Sequence, residues 1–191
     1  MESSTKSAII KSVVLLVLGA IVVAGIYFAL TRGKKSGGSE EYQLTAVDEI
    51  TTIELDKTYP ADARKVVELY AQIMRVLYNE KYNDTQEEKM LSVLAGIMDD
   101  ELMANQINFN KSMSNEIESR KKDGYTFSTY QVQNYEPDVV TVDGKKMCDV
   151  DCFFSLMENN SRINMYYTFY LRRDADKRWK ILGWEMKQDS N

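Results

Sequence analysis

The spacing of apolar residues changes twice along this chain, and each change marks a different kind of element. Residues 12–30 form an uncharged run of 19, twelve of them Val, Leu, Ile or Phe. As a helix the run is about 28 Å long, close to the ~30 Å hydrocarbon core of a bilayer. Its apolar side chains favour insertion by roughly 4–7 kcal/mol. Tyr27 and Phe28 stand near one end, where interfacial aromatics are common. The run therefore predicts a retained transmembrane helix. The competing reading is a cleaved signal peptide, with Val22-Val23-Ala24 as the small-residue site. Against it, the apolar run continues past that site and exceeds a typical signal core. No cysteine follows the run to accept a lipid.

Beyond the run the spacing becomes helical. Residues 33–41 are rich in Gly, Ser and charge and read as a tether. Residues 42–55 alternate only partly, through Val47, Ile50, Ile53 and Leu55, and read as a short strand or a loose segment. A first helix is expected over about 60–78, with Pro60 in its first turn and Val66, Leu69, Tyr70, Ile73 and Leu77 as its apolar stripe. A second is expected to start at a Thr85-x-x-Glu88 capping box and to bury Leu91, Leu94, Ile97 and Met98. Asp99-Asp100-Glu101 marks a break, read as a solvated helix start. A third helix is expected over 103–123, with Phe109, Met113 and Ile117 on one side and Arg120, Lys121 and Lys122 complementing the dipole of its last turn. Gly124 ends it. The organisation is thus a tail (1–11), a transmembrane helix (12–30), a linker (31–57), a folded domain (58–187) and a second tail (188–191).

From Tyr125 the period is two. Asp143-Gly144 is a strong two-residue hairpin signal. A loop at 158–161 and another at 174–176 divide the remainder, which predicts a four-stranded antiparallel meander over about 125–142, 145–157, 162–172 and 178–187. If the second hairpin pairs residues whose numbers sum to 319, Cys148 faces Leu171, Val150 faces Phe169, Cys152 faces Tyr167, Phe154 faces Met165 and Leu156 faces Ile163. All five apolar pairs then share one face, and a slip of one residue destroys the pattern. The other face carries Phe153 opposite Tyr166, Asp151 opposite Thr168 and Asp149 opposite Tyr170. A last strand without a bulge adds Leu182 and Trp184, giving an outer aromatic patch of Phe153, Tyr166, Tyr170, Leu182 and Trp184. A bulge at Gly183 turns Trp184 inward instead. Such a patch fits a protein partner or a homodimer; scattered exposed aromatics, or cover from the linker, are the plain alternative. Pro137 implies that the first strand bends or bulges.

Composition narrows the chemistry. Residues 1–35 hold five basic side chains and one acidic, leaving 19 basic against 28 acidic in the rest, a net charge of −9. A domain this acidic repels phosphate backbones, so nucleic acid is a poor partner. The chain has no histidine. That removes the commonest general base, the commonest metal ligand and every Ser–His or Cys–His pair. Cys148 and Cys152, four apart on one strand, are about 13 Å from one another, too far for a disulfide, and read as small core residues. No catalytic residue, metal ligand or cofactor is expected.

Three helices followed by a curved meander is the element order of the nuclear-transport-factor-2-like (cystatin-like) superfamily. The segment Tyr166-Tyr167-Thr168-Phe169-Tyr170-Leu171, an Asp-rich turn and then Arg178-Trp179-Lys180-Ile181-Leu182-Gly183-Trp184-Glu185 resembles the closing hairpin of that superfamily. The resemblance covers about residues 58–187. It implies an α+β cone, with three helices on a curved four-stranded sheet and a mouth where Tyr70, Tyr167 and Trp184 line a pocket. With its anchor the chain also resembles single-pass proteins of Gram-positive bacteria, which implies an extracytoplasmic domain. The charge rule disagrees: Lys6 and Lys11 precede the run, while Arg32, Lys34 and Lys35 follow it, which favours the opposite orientation or decides nothing.

Three functions compete. The first is a non-catalytic binding or scaffold module at the cell membrane, acting through its outer sheet face. The second is a small-molecule pocket or enzyme; related cones host isomerases and dehydratases. Without histidine it needs a buried carboxylate of raised pKa, and Asp149 and Asp151 fall on the wrong face. The third is a subunit of a type IV secretion-like envelope complex, whose anchored component shares the layout. On the membrane reading, the full chain stays in the membrane pellet after alkaline carbonate extraction. Deleting residues 12–30 moves it to the supernatant; a full chain found in the supernatant defeats the reading.

Overall fold

A computed structural model describes residues 44–187. The expected transmembrane helix at 12–30, both tails and residues 31–43 lie outside them. Among the described residues, no helix is long and apolar enough to cross a membrane.

The domain is α+β, with helices packed against a five-stranded antiparallel sheet. It begins earlier than the expected position 58. Helix α1 (Ala46–Thr51) replaces the expected strand or loose segment. Thr45 and Asp48 form its capping box, and Val47 and Ile50 are buried in the core. A step of three from Val47 to Ile50 is helical spacing, and the box supplies the start that the partial alternation hid.

Helix α2 (Ala63–Asn79) starts three residues after Pro60, capped by Asp62, whose carboxylate accepts the Lys65 N–H at 2.9 Å. Its whole expected stripe is buried, and Val67, Ala71 and Val76 are buried as well. It packs on β1, β3 and β5 as well as on α1 and on the helices Asp84–Gly96 and Phe109–Lys122. Helix α3 (Asp84–Gly96) is capped by an Asn83–Gln86 box, two residues before the expected Thr85–Glu88 pair. The expected third helix is two: α4 (Asp100–Ala104) and α5 (Phe109–Lys122). Asn108 lies between them in the left-handed region, at φ 54°. Asparagine enters that region more readily than most residues, so an Asn before the apolar Phe109 is a break point.

The strands are β1 (Tyr125–Val132), β2 (Val140–Val142), β3 (Lys145–Glu158), β4 (Ser161–Arg173) and β5 (Trp179–Met186). Their order across the sheet is β1-β3-β4-β5, with β2 also paired to β3. The expected first strand is therefore split in two around Pro137, and a bulge at Ser128 bends its first half. Asp143 and Gly144, at φ 49° and 77°, form the hairpin turn of mirror-image type that their sequence calls for. β3 and β4 pair in the expected register, Cys148 with Leu171 through Leu156 with Ile163. Gly124, at φ 80°, ends α5 where an added Cβ would lie 2.5 Å from Asn159 Oδ1.

Residues 97–99 bridge the free edge of β5 at Ile181. Asp99 N–H donates to the Ile181 carbonyl at 2.8 Å, and Ile181 N–H donates to that of Ile97 at 2.9 Å. Asp99, a buried carboxylate, then accepts a two-pronged hydrogen bond from Arg172, which also reaches Glu101 at 2.9 Å. The acidic trio read as a solvated helix start is thus partly a buried anchor. Burial works to raise the Asp99 carboxyl. The Arg172 hydrogen bond and the Glu101 N–H outweigh it and hold the group below its ordinary value.

Arg172→Met leaves that carboxylate buried and unpaired, and should cost about 3 kcal/mol in urea unfolding. Asp99 binds its proton more weakly when folded than when unfolded. Its stabilisation is therefore full above about pH 4 and is lost as the pH falls through its lowered folded value. Asp99→Asn should flatten that part of the acid limb. An unchanged limb would remove Asp99 as its source.

Candidate binding cavity

The two long strands outrun the helices that cover them. β3 has 14 residues and spans about 46 Å, whereas the 17 residues of α2 span about 26 Å. On the inner face, burial follows this mismatch. Leu171 and Phe169 are fully covered, while Tyr167, Met165 and Ile163 are only half-buried. A cavity of about 280 Å³ opens over that uncovered end.

Tyr70, Met74 and Tyr78 of α2 form one wall, and Phe127, Phe154, Leu156, Ile163, Met165, Tyr167 and Phe169 of the sheet form the other. Phe154 is the hub of the sheet side, with ring centroids 5.4 Å from Phe127 and 5.6 Å from Tyr167. Glu116 and Arg120 of α5, together with Tyr125, complete the rim. Arg120 Nε donates to Glu116 at 2.8 Å, and the guanidinium lies 5.1 Å from the Tyr125 ring centroid. Arg120, read from the sequence as a dipole partner at a helix end, therefore also borders the cavity.

The three pocket residues expected from the sequence, Tyr70, Tyr167 and Trp184, all line this cavity. Trp184 arrives there through a bulge. Tyr170 pairs with Gly183 but Leu171 pairs with Ile181, so Leu182 is an extra residue on β5. Trp184 then pairs with Phe169 on the helix side, and its ring lies 5.8 Å from Tyr70 and 6.0 Å from Phe169. It remains 41% exposed and stands at the cavity's edge. The bulge-free alternative, with Trp184 beside Tyr166, does not form.

The outer face loses its central aromatic by the same shift. Phe153 and Tyr166 remain in contact at 5.0 Å, and Leu182 is half-buried. Tyr170 donates its hydroxyl to Glu185 at 2.5 Å. Thr168 donates to Asp151 at 2.8 Å, and Lys187 pairs with that carboxylate at 2.7 Å. Polar bonds therefore interrupt the expected patch of Phe153, Tyr166, Tyr170 and Leu182. Asp149 and Asp151 lie on this face, opposite Tyr170 and Thr168, away from the cavity.

Burial pushes the Tyr70, Tyr78 and Tyr167 phenols above their ordinary value; for Tyr78 and Tyr167 the Arg120 charge opposes it. Tyr125 is raised by its hydrogen bond to Glu158, with burial adding to it. These phenols stay protonated at neutral pH and can donate. Glu116, the one carboxylate of the lining, is exposed and bonded to Arg120. Among the described residues, no group of His, Cys, Asp and Glu is arranged to hold a metal.

The family described as Domain of unknown function (DUF6715) matches residues 1–184. The chain belongs to the DUF6715 family. No curated protein matches it. Among solved structures, it is similar to the intermembrane space region of chloroplast protein ARC6, at 12% identity and a TM-score of 0.38, over 68% of this chain and 96% of that one.

Cys148 and Cys152 of this DUF6715 domain are free thiols, both buried on the inner face. Burial pushes each up to about 12, helped at Cys148 by Asp149. Neither thiol should react with Ellman's reagent at pH 8 until denaturant is added. Fast reaction of the native protein would show that this face is open.

Proposed function

We propose that this DUF6715 protein is a non-catalytic binding module of the nuclear-transport-factor-2-like cone type, held at the outer side of the cell membrane by residues 12–30, and that it binds a small apolar molecule between α2 and the curved sheet. The observation that carries the reading is the cavity of about 280 Å³, walled by aromatic and methionine side chains and open at one end. Ligand pockets are concave and largely apolar, with a few polar groups that fix orientation. Here those groups are tyrosine hydroxyls and the Glu116–Arg120 pair at the rim. The absence of histidine from the chain and the exposed, paired state of Glu116 favour binding over turnover. Anchor and orientation rest on the apolar run and the family resemblance.

Naphthalene serves as a neutral apolar probe. Calorimetry of the purified full chain, with its detergent alone as the blank, should show one site per chain. Met165→Trp enlarges a half-buried lining side chain and should remove most of that binding. No heat in the native chain, or binding that Met165→Trp leaves untouched, defeats the pocket reading.

A further inference from the structure

Tyr70 is the deepest polar residue of the cavity lining. It is only 8% exposed, with its ring 5.1 Å from Phe169 and 5.8 Å from Trp184. Packing against these rings holds it in place. Among the described residues no hydrogen bond joins its hydroxyl to another group. The neighbouring Tyr167 hydroxyl, by contrast, already donates to Met165 Sδ at 3.5 Å. Tyr70 lines the cavity and its hydroxyl is not among the sealed polar atoms, so its bond is available to whatever fills the space.

The rest of the lining limits what that is. Eight of its 14 side chains are aromatic, which favours a ring that packs by offset stacking or edge contacts. Its only two charged groups, Glu116 and Arg120, offset each other at the rim, so no net charge awaits a charged ligand. The volume equals that of about nine liquid waters, or roughly ten ligand atoms other than hydrogen.

Resting on the pocket reading above, we infer that the cavity selects an uncharged ring compound of about that size, bearing one oxygen that accepts a hydrogen bond from Tyr70. Tyr70 is then a specificity residue: the apolar walls take the ring, and the hydroxyl chooses among rings by their oxygen.

The test compares 1-naphthol, naphthalene and 1-naphthoate on the purified full chain by calorimetry. The expected result is that 1-naphthol binds about five- to tenfold more tightly than naphthalene, the worth of one hydrogen bond to a buried partner. 1-Naphthoate should bind more weakly than 1-naphthol. In Tyr70→Phe the ratio of 1-naphthol to naphthalene affinity should fall to about one, with an unchanged circular dichroism spectrum showing that the variant is folded. Equal binding of 1-naphthol and naphthalene by the native chain overturns the inference and leaves the pocket standing. So does a preference that survives in Tyr70→Phe, or tighter binding of 1-naphthoate. Failure of naphthalene itself to bind removes the pocket reading, and this inference with it. The comparison on the native chain stands without the variant.

Discussion

Twelve consecutive cross-strand pairs join β3 to β4, and the rest of the domain depends on their alternation. Side chains along a strand alternate between faces, so one register places Cys148, Val150, Cys152, Phe154 and Leu156 together, opposite Leu171, Phe169, Tyr167, Met165 and Ile163. A slip of one residue sends all of them to solvent. Helix α2 is shaped for the resulting surface. Its buried positions exceed one stripe because it meets the sheet on one side and other helices on another. The Arg172–Asp99 pair then fixes the far edge, where residues 97–99 bond to β5 at Ile181.

The cavity follows from a difference in reach. Strands gain about twice the length per residue that helices do, so a hairpin of 13- and 14-residue strands extends past its helical cover. At the uncovered end, α5 supplies Glu116 and Arg120 to the rim. One extra residue on β5 completes the enclosure by moving Trp184 from the outer face to the inner one. The same displacement leaves the outer face with a single close aromatic pair among ionic and hydroxyl bonds.

The limits of sequence reading show at particular residues. The β3–β4 register was legible because ten apolar residues agree on it. The Asp143-Gly144 turn was legible because few dipeptides accept positive φ at both positions. The start of α3 was misplaced because Asn83 and Thr85 are each followed, three residues on, by a side chain able to complete a box. The break at Asn108 was missed because the apolar spacing around it still fits one continuous helix, and only the left-handed backbone interrupts it. Ser128 carries no local mark of a bulge, whereas the bulge at Leu182 is marked by its neighbour Gly183, which left both orientations of Trp184 open. Tyr70, Tyr167 and Trp184 were nameable as pocket residues only through the family resemblance.

By itself, the sequence of this DUF6715 chain determined the features that one segment can specify through its own period: an uncharged run of bilayer length, an amphipathic α2 and a single workable pairing of β3 with β4. It also ruled out histidine chemistry. Tertiary structure alone decided the division of the third helix, the burial of Asp99 against Arg172, the inward turn of Trp184 and the unpartnered state of the Tyr70 hydroxyl. The reason is physical. A periodic pattern records which side of an element is apolar, whereas a bulge, an ion pair or an unfilled space is set by how two elements of unequal length and curvature meet.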